Sequence, residues 1–304
     1  MEADEVTGIG EAAPNYRYNE TQASATAFIN KMDDYHAINP FDVDALVAYM
    51  AGLGSGEYAA KAGLEMALYD WIGKKLGLPL YKLLQAPGRT GPKTTFSIGI
   101  DKPEVIKDKV VEAGPFPLLK VKLGTGYDKE IITTIRALTD KPILVDANEG
   151  WTTVDHALAM IRFLDNQNVF MVEQPMPASC VNEMQELKLK STIPLFADES
   201  MTGNESLLEL STQFHGINIK LMKTGAISTS LKILHQARKL GLQIMVGCMV
   251  ESVIADTASA LVALWADYAD LDGHLLLTEN PFNGLEVLPD GYVQLKNKPG
   301  LGLV

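Results

Sequence analysis

The sequence predicts an α/β protein built on a TIM-type barrel, preceded by a smaller, largely helical layer. Three observations carry this. Eight short apolar, β-rich runs start between Thr95 and Tyr268 at intervals of 22 to 28 residues, the rhythm of βα units. Amphipathic stretches at helical spacing lie between them, as in SLKILHQARKLG, which ends on Gly241, a residue type favoured at helix C-termini. The chain has 304 residues and is 47% apolar, enough for one barrel core and an appendage.

In chain order, helix candidates begin at Glu20, at Asp42 and at Gly56; the last, GEYAAKAGLEMALYDWIGKKLG, has the strongest helical pattern. The barrel runs are TFSIGI from Thr95, LLKVKLG from Leu118, PILVDANEG from Pro142 and FMVEQP from Phe170. PLFADES from Pro194, GINIKLM from Gly216, QIMVGCM from Gln243 and YADLDG from Tyr268 follow. The tail from Asn280, with GLEVLPDGYVQL, reads as two short strands joined by a turn, expected to pair with the front layer rather than to add a ninth unit. The expected organisation is a front domain over 1–92, a barrel over 93–280 and a returning C-terminal segment over 281–304.

Composition excludes several classes. The net charge of -12, without clustered Lys and Arg, argues against a nucleic-acid or anionic-membrane binder. No apolar run reaches membrane-spanning length, and the opening MEADEVTGIGEAAP lacks the basic and apolar regions of a secretory signal. Cys180 and Cys248 lie far apart without metal-type spacing, so reduced cysteines and a cytoplasmic location are expected, with one disulfide left open.

The chemistry sits at strand ends. Strand alternation puts Lys120 and Lys122 on one face of LLKVKLG, at the C-terminal end where barrel enzymes work. Alone, such a pair also fits two solvated lysines on an edge strand. Asp146, Glu173 and Asp198 end three successive strands. One acidic strand end is commonly a helix cap, but three at one height repel unless a cation sits among them, and an all-oxygen site suits Mg²⁺. Asn148 and Glu199 are either partners of that site or caps. Lys220 ends the next strand, across the pocket from Lys122. Two lysines flanking a metal suit proton exchange next to a carboxylate: one removes the proton and the other returns it on the opposite face, while the metal stabilises an enediolate. Burial beside a cation is expected to lower both lysine pKa values. Lys223, in the turn KTGA, is expected to be solvated or structural.

The ordered set KVK, VDAN, VEQP, ADES and NIKLMKTG resembles the muconate-lactonizing subgroup of the enolase superfamily across the whole barrel. The resemblance implies a modified (β/α)7β barrel with an N-terminal α+β capping domain. It also implies Asp146, Glu173 and Asp198 as Mg²⁺ ligands, Lys122 and Lys220 as opposed bases, and Lys120 as a support for Lys122 or for the substrate carboxylate. Within the subgroup, GCMVES and DLDG resemble dipeptide epimerases of the L-Ala-D/L-Glu type, which implies that Asp270 and Asp272 hold a substrate ammonium. A paired carboxylate suits that role, although such a pair elsewhere is often a loop cap. Glu251 and Cys248 would line the same pocket.

Relatives begin with further capping strands and a closing loop, so the capping domain is expected to be partial, VTGIGEAAP corresponding to the end of its third strand. Ala226 stands where the subgroup often has Gly. The expected activity is Mg²⁺-dependent epimerisation at the α-carbon of a dipeptide's C-terminal residue. The alternatives are a cycloisomerase or o-succinylbenzoate synthase reaction on the same bases, or a non-catalytic metal-binding barrel. The expected partner is a small dipeptide, with homo-oligomerisation open.

Overall fold

The computed structural model describes residues 1–32 and 38–304. The chain opens with a two-stranded antiparallel pair, β1 (Glu2–Ala3) and β2 (Val6–Thr7), followed by a 3₁₀ turn at Tyr16–Tyr18. Three helices form the front layer: α1 (Gln22–Ile29), α2 (Val43–Leu53) and α3 (Tyr58–Leu76). Thr21 and Asp42 cap the first two through their side chains, which accounts for the start signals near Glu20 and Asp42. A short helix, α4 (Leu80–Leu83), and strand β3 (Thr90–Lys93) lead into the barrel.

The barrel alternates β4 (Thr95–Ile98), α5 (Pro103–Glu112), β5 (Leu118–Lys122), α6 (Asp128–Arg136), β6 (Ile143–Asp146), α7 (Val154–Asp165) and β7 (Val169–Glu173). It continues with α8 (Val181–Lys190), β8 (Leu195–Ala197), α9 (Leu207–Gln213), β9 (Gly216–Ile219), the short α10 (Leu221–Thr224) and α11 (Ile227–Lys239). β10 (Gln243–Gly247), α12 (Val253–Ala263) and β11 (Tyr268–Asp270) complete it. Strands β4 to β11 pair in chain order as one eight-stranded parallel sheet, and a parallel bridge between Thr94 and Ala269 closes it. All eight runs read from the sequence are therefore barrel strands. α11 ends just ahead of Gly241, whose φ of 76° lies in the left-handed region that glycine enters without strain.

The alternation of the strands divides labour. Leu119, Val121, Ile143, Val145, Val172, Leu195, Ile217, Ile219 and Ile244 face outward and are fully buried under the helix shell. Inward-facing Leu144, Met171, Phe196 and Met245 form a separate apolar floor inside the barrel. Inward residues nearer the C-terminal ends are charged, so the lumen is greasy below and ionic above.

The C-terminal strands β12 (Glu286–Val287) and β13 (Tyr292–Gln294) pair with each other, and β13 pairs with β3. The front layer is fastened to the barrel by carboxylates at helix starts, one buried (Glu65) and one half-buried (Glu11). Glu65 of α3 accepts hydrogen bonds from the Ile227 and Ser228 backbone N–H groups and from the Ser228 hydroxyl. This supplies the cap that Ala226 cannot give α11. Glu11 likewise accepts from Ser252 N at 2.8 Å, Ser252 Oγ at 2.6 Å and Ala255 N at 3.1 Å at the start of α12. Among the described residues, no helix is long and apolar enough to cross a membrane, and both cysteines are free.

Candidate active site

Lys120 and Lys122 project into the lumen from β5 because Leu119 and Val121 occupy its outward positions. Register then sets the height of the neighbouring groups: Lys122 pairs with Asp146, and Asp146 with Glu173. Asp198 follows β8 directly. Each of Asp146, Glu173 and Asp198 offers an oxygen, all three atoms lie within 4.8 Å of one another, and all three residues are buried.

Two lysines from opposite walls touch this cluster. Lys122 Nζ lies 2.6 Å from Asp146 Oδ2, and Lys220 Nζ lies 2.8 Å from Asp198 Oδ2. β5 and β9 are four strands apart in a closed ring of eight, so the two ammonium groups enter from opposite sides. Lys120 sits beneath, 2.7 Å from Glu173 Oε2, 3.1 Å from Asp146 Oδ2 and 2.6 Å from Asp270 Oδ2. It links the acidic triad to β11 and shares Asp146 Oδ2 with Lys122.

Burial and the charge of Asp146 push Glu173 up to about 7. Burial acts the same way on Asp198, but Lys220 and Lys223 outweigh it and hold that carboxyl well below its usual range. Glu173 Oε2 has no hydrogen-bond partner, although it faces the Lys120 ammonium. Three buried carboxylate oxygens at this spacing, one of them without a hydrogen bond, fit a hard divalent cation with oxygen preference.

The carboxylates govern the charge of the lumen lysines. Burial does act downward on Lys120 and Lys220, but Asp270, Glu173 and Asp146 raise the first, and Asp198 and Glu173 raise the second. The lysines are the counter-ions of the carboxylates, and a cation sharing Asp198 would relieve Lys220 of that attraction.

Of the two roles expected for Lys223, solvated or structural, the structure shows the second. It is fully buried, donates to Asp198 O at 2.7 Å and pairs with Asp198 Oδ1 at 2.5 Å, so it is not solvated; it fixes the carboxylate from the side opposite Lys220. Asn148 donates to Glu199 Oε1 at 3.2 Å, and its backbone N–H donates to Asp146 Oδ1 at 3.0 Å. Both residues belong to the surroundings of the acidic triad. Asn148, Glu149 and Gln174 have positive φ values of 43°, 66° and 35°, strain concentrated just beyond the ends of β6 and β7.

On the far side of the lumen, Asp270 accepts from the Thr95 hydroxyl at 2.5 Å, and Asp272 accepts from the Ser97 backbone N–H at 2.6 Å. Burial and the neighbouring Asp270 push Asp272 up to about 6. Together with Lys122, Lys220, Glu199 and Cys248, these residues line a cavity of about 320 Å³. Of the two residues expected to line this cavity, Cys248 does, whereas Glu251 is buried outside its lining, where one carboxylate oxygen accepts from Met249 N at 3.3 Å.

The sequence reading missed Asn218 and the front-layer residues of this cavity. Asn218 donates to Glu173 Oε1 at 2.6 Å. It shares the inward parity of Lys220 two positions on, which is the signal that could have found it. Asn15, Arg17 and Tyr18 reach the cavity from the 3₁₀ turn, with Arg17 paired to Glu149. Nothing in their spacing reveals this, because the contact exists only once the front layer docks.

Comparison with known proteins agrees with this geometry. Residues 104–304 match the family model described as enolase C-terminal domain-like, and residues 1–85 match the N-terminal domain of mandelate racemase / muconate lactonizing enzyme. The chain is 41% identical to an L-Ala-D/L-Glu epimerase of Bacteroides thetaiotaomicron, over 100% of this chain and 79% of that protein. It is 43% identical to an L-Ala-D/L-amino acid epimerase of Pedosphaera parvula, over 93% of this chain and 82% of that one. A crystal structure of a dipeptide epimerase from Enterococcus faecalis V583, complexed with Mg and the dipeptide L-Leu-L-Tyr, superposes with a TM-score of 0.91 at 31% identity. It covers 99% of this chain and 89% of that one.

Proposed function

The chain belongs to the mandelate racemase / muconate lactonizing enzyme family of the enolase superfamily, and on that premise we propose that it is a Mg²⁺-dependent dipeptide epimerase, an isomerase that inverts the α-carbon of a dipeptide's C-terminal residue. The observation that carries this is the distribution of charge around the ring. The carboxylates of β6, β7 and β8 occupy one arc, Asp270 and Asp272 the opposite arc, and Lys122 and Lys220 the two positions between. A dipeptide with its carboxylate on the first arc and its ammonium on the second places its α-carbon between the lysines. A cycloisomerase substrate would leave Asp272 without a use.

Asp146, Glu173 and Asp198 would hold Mg²⁺, which would supply positive charge to the substrate carboxylate as its α-proton leaves. Lys122 and Lys220 each face the α-carbon from one side, so a proton removed by one Nζ is replaced from the other with inverted configuration. Lys120 keeps Asp146 and Asp270 fixed relative to each other. Lys223 and Asn218 hold Asp198 and Glu173 in place.

The test is α-proton exchange in D₂O, followed by NMR with Mg²⁺ and a panel of dipeptides that includes Ala-Glu. The wild-type protein is expected to exchange and epimerise at least one member. Lys122→Ala and Lys220→Ala should each lower epimerisation by about 10²- to 10⁴-fold while leaving exchange from a single epimer. Absence of any exchange by the wild-type protein across the panel would overturn the assignment. We also place the protein in the cytoplasm, where its two free cysteines stay reduced.

A further inference from the structure

Behind Asp270 and Asp272 lies a buried pair that the exchange reaction does not use. Asp256, on α12, is fully buried. Its Oδ2 receives the backbone N–H of His274 at 2.8 Å and lies 2.6 Å from the His274 ring Nδ1. His274 is the second residue after Asp272 and belongs to a 3₁₀ turn, Gly273–Leu276, that begins directly on that aspartate. The same turn is tied at two further points. Gly273 N donates to Cys248 Sγ at 3.2 Å, and Asn280 bridges the His274 carbonyl at 2.9 Å to the Val253 N–H at 2.9 Å, at the start of α12. Space is tight, since a Cβ on Gly273 would meet the Met249 carbonyl oxygen at 2.2 Å.

From these contacts we infer that Asp256, acting through His274, is a positioning residue that sets where Asp272 meets the substrate's ammonium. This rests on the dipeptide epimerase reading. The geometry leaves few other supports. The Asp272 side chain is held by Ser97 alone, through its N–H at 2.6 Å and its side chain, among the described residues, and its main chain passes straight into the turn that Asp256 grips. A buried carboxyl group that meets both the backbone N–H and the ring Nδ1 of one residue fixes the backbone and the ring together. Asp256 touches neither the acidic triad nor either base, so its loss leaves the proton-transfer groups in place.

This predicts a split between binding and chemistry. Asp256→Ala and His274→Ala are expected to raise KM for the dipeptide about tenfold, close to 1.4 kcal/mol, with kcat changed less than about twofold. A des-amino analogue, in which the dipeptide's amino group is replaced by hydrogen, serves as a competitive inhibitor without an ammonium. Its inhibition constant should not move in either variant. Asp256→Asn keeps an oxygen facing His274 and should recover most of the lost affinity. If Asp256→Ala does not fold, His274→Ala carries the same comparison, since that ring lies at the edge of the core. A KM that stays at the wild-type value, or a KM and inhibition constant that rise together, overturns the inference. Failure of the wild-type protein to exchange any dipeptide's α-proton would instead count against the underlying activity.

Discussion

Asp272 shows how a buried position tunes a binding group. Burial and the charge of Asp270 push its carboxyl up to about 6, so it is neutral over part of the mildly acidic range where an ordinary aspartate is charged. A neutral carboxyl is a poor acceptor for an ammonium. The kcat/KM for a dipeptide is therefore expected to fall as pH drops from 7 to 5, and Asp272→Asn should be slower throughout and fall less steeply below pH 6, as a pH series on both proteins would reveal. Residues such as Asp146, Glu173, Asp198 and Lys220 were legible in the sequence because each ends an apolar run whose period of two fixes its direction. Lys223 was not. A lysine in a strand-to-helix turn is ordinarily solvated, and only the docking of Asp198 shows why this one is buried.

At the scale of elements, the front layer holds the barrel through carboxylates set at helix starts. Glu65 is pushed up to about 7 by burial, against the pull of its three donors at the start of α11. Its ordinary value is 4.5, so between the two values the folded protein binds a proton that the unfolded chain releases. The sign follows: this group favours folding most at low pH, and its contribution declines as pH rises through that window, then stays level above about 7. The full decline is worth roughly 3 kcal/mol. Urea unfolding at several pH values should show the slope in the wild-type protein and its loss in Glu65→Gln, which keeps an acceptor oxygen but cannot titrate. Glu65→Ala should cost about 1–3 kcal/mol by leaving the first turn of α11 uncapped. The strand-and-helix rhythm was readable from periodicity. This fastening was not, because Glu65 looks in sequence like any polar residue of an amphipathic helix.

For the whole molecule, the acidic triad is a point where stability and ligand meet. The carboxylates repel one another, and burial together with the charge of Asp146 keeps Glu173 elevated despite the lysine counter-ions. Mg²⁺ at 100 times its dissociation constant is expected to add about 2.7 kcal/mol to the unfolding free energy, and EDTA should abolish the gain in a thermal melt. Asp146→Ala should lose most of that response. Closure of the sheet through Thr94 and Ala269 also belongs to this scale, since the eight-run rhythm predicts a barrel but names neither partner. The direct pairing of Lys122 with Asp146, and of Asp146 with Glu173, makes the wall behave like a reading frame. Losing one residue inside β5 would turn Lys122 toward the helix shell, and inside β6 it would turn Asp146, each bringing a valine into the lumen and erasing the chemistry while barely altering composition. The same loss in the loop after α6 would be absorbed as slack, so for this protein the place of an indel matters more than its length.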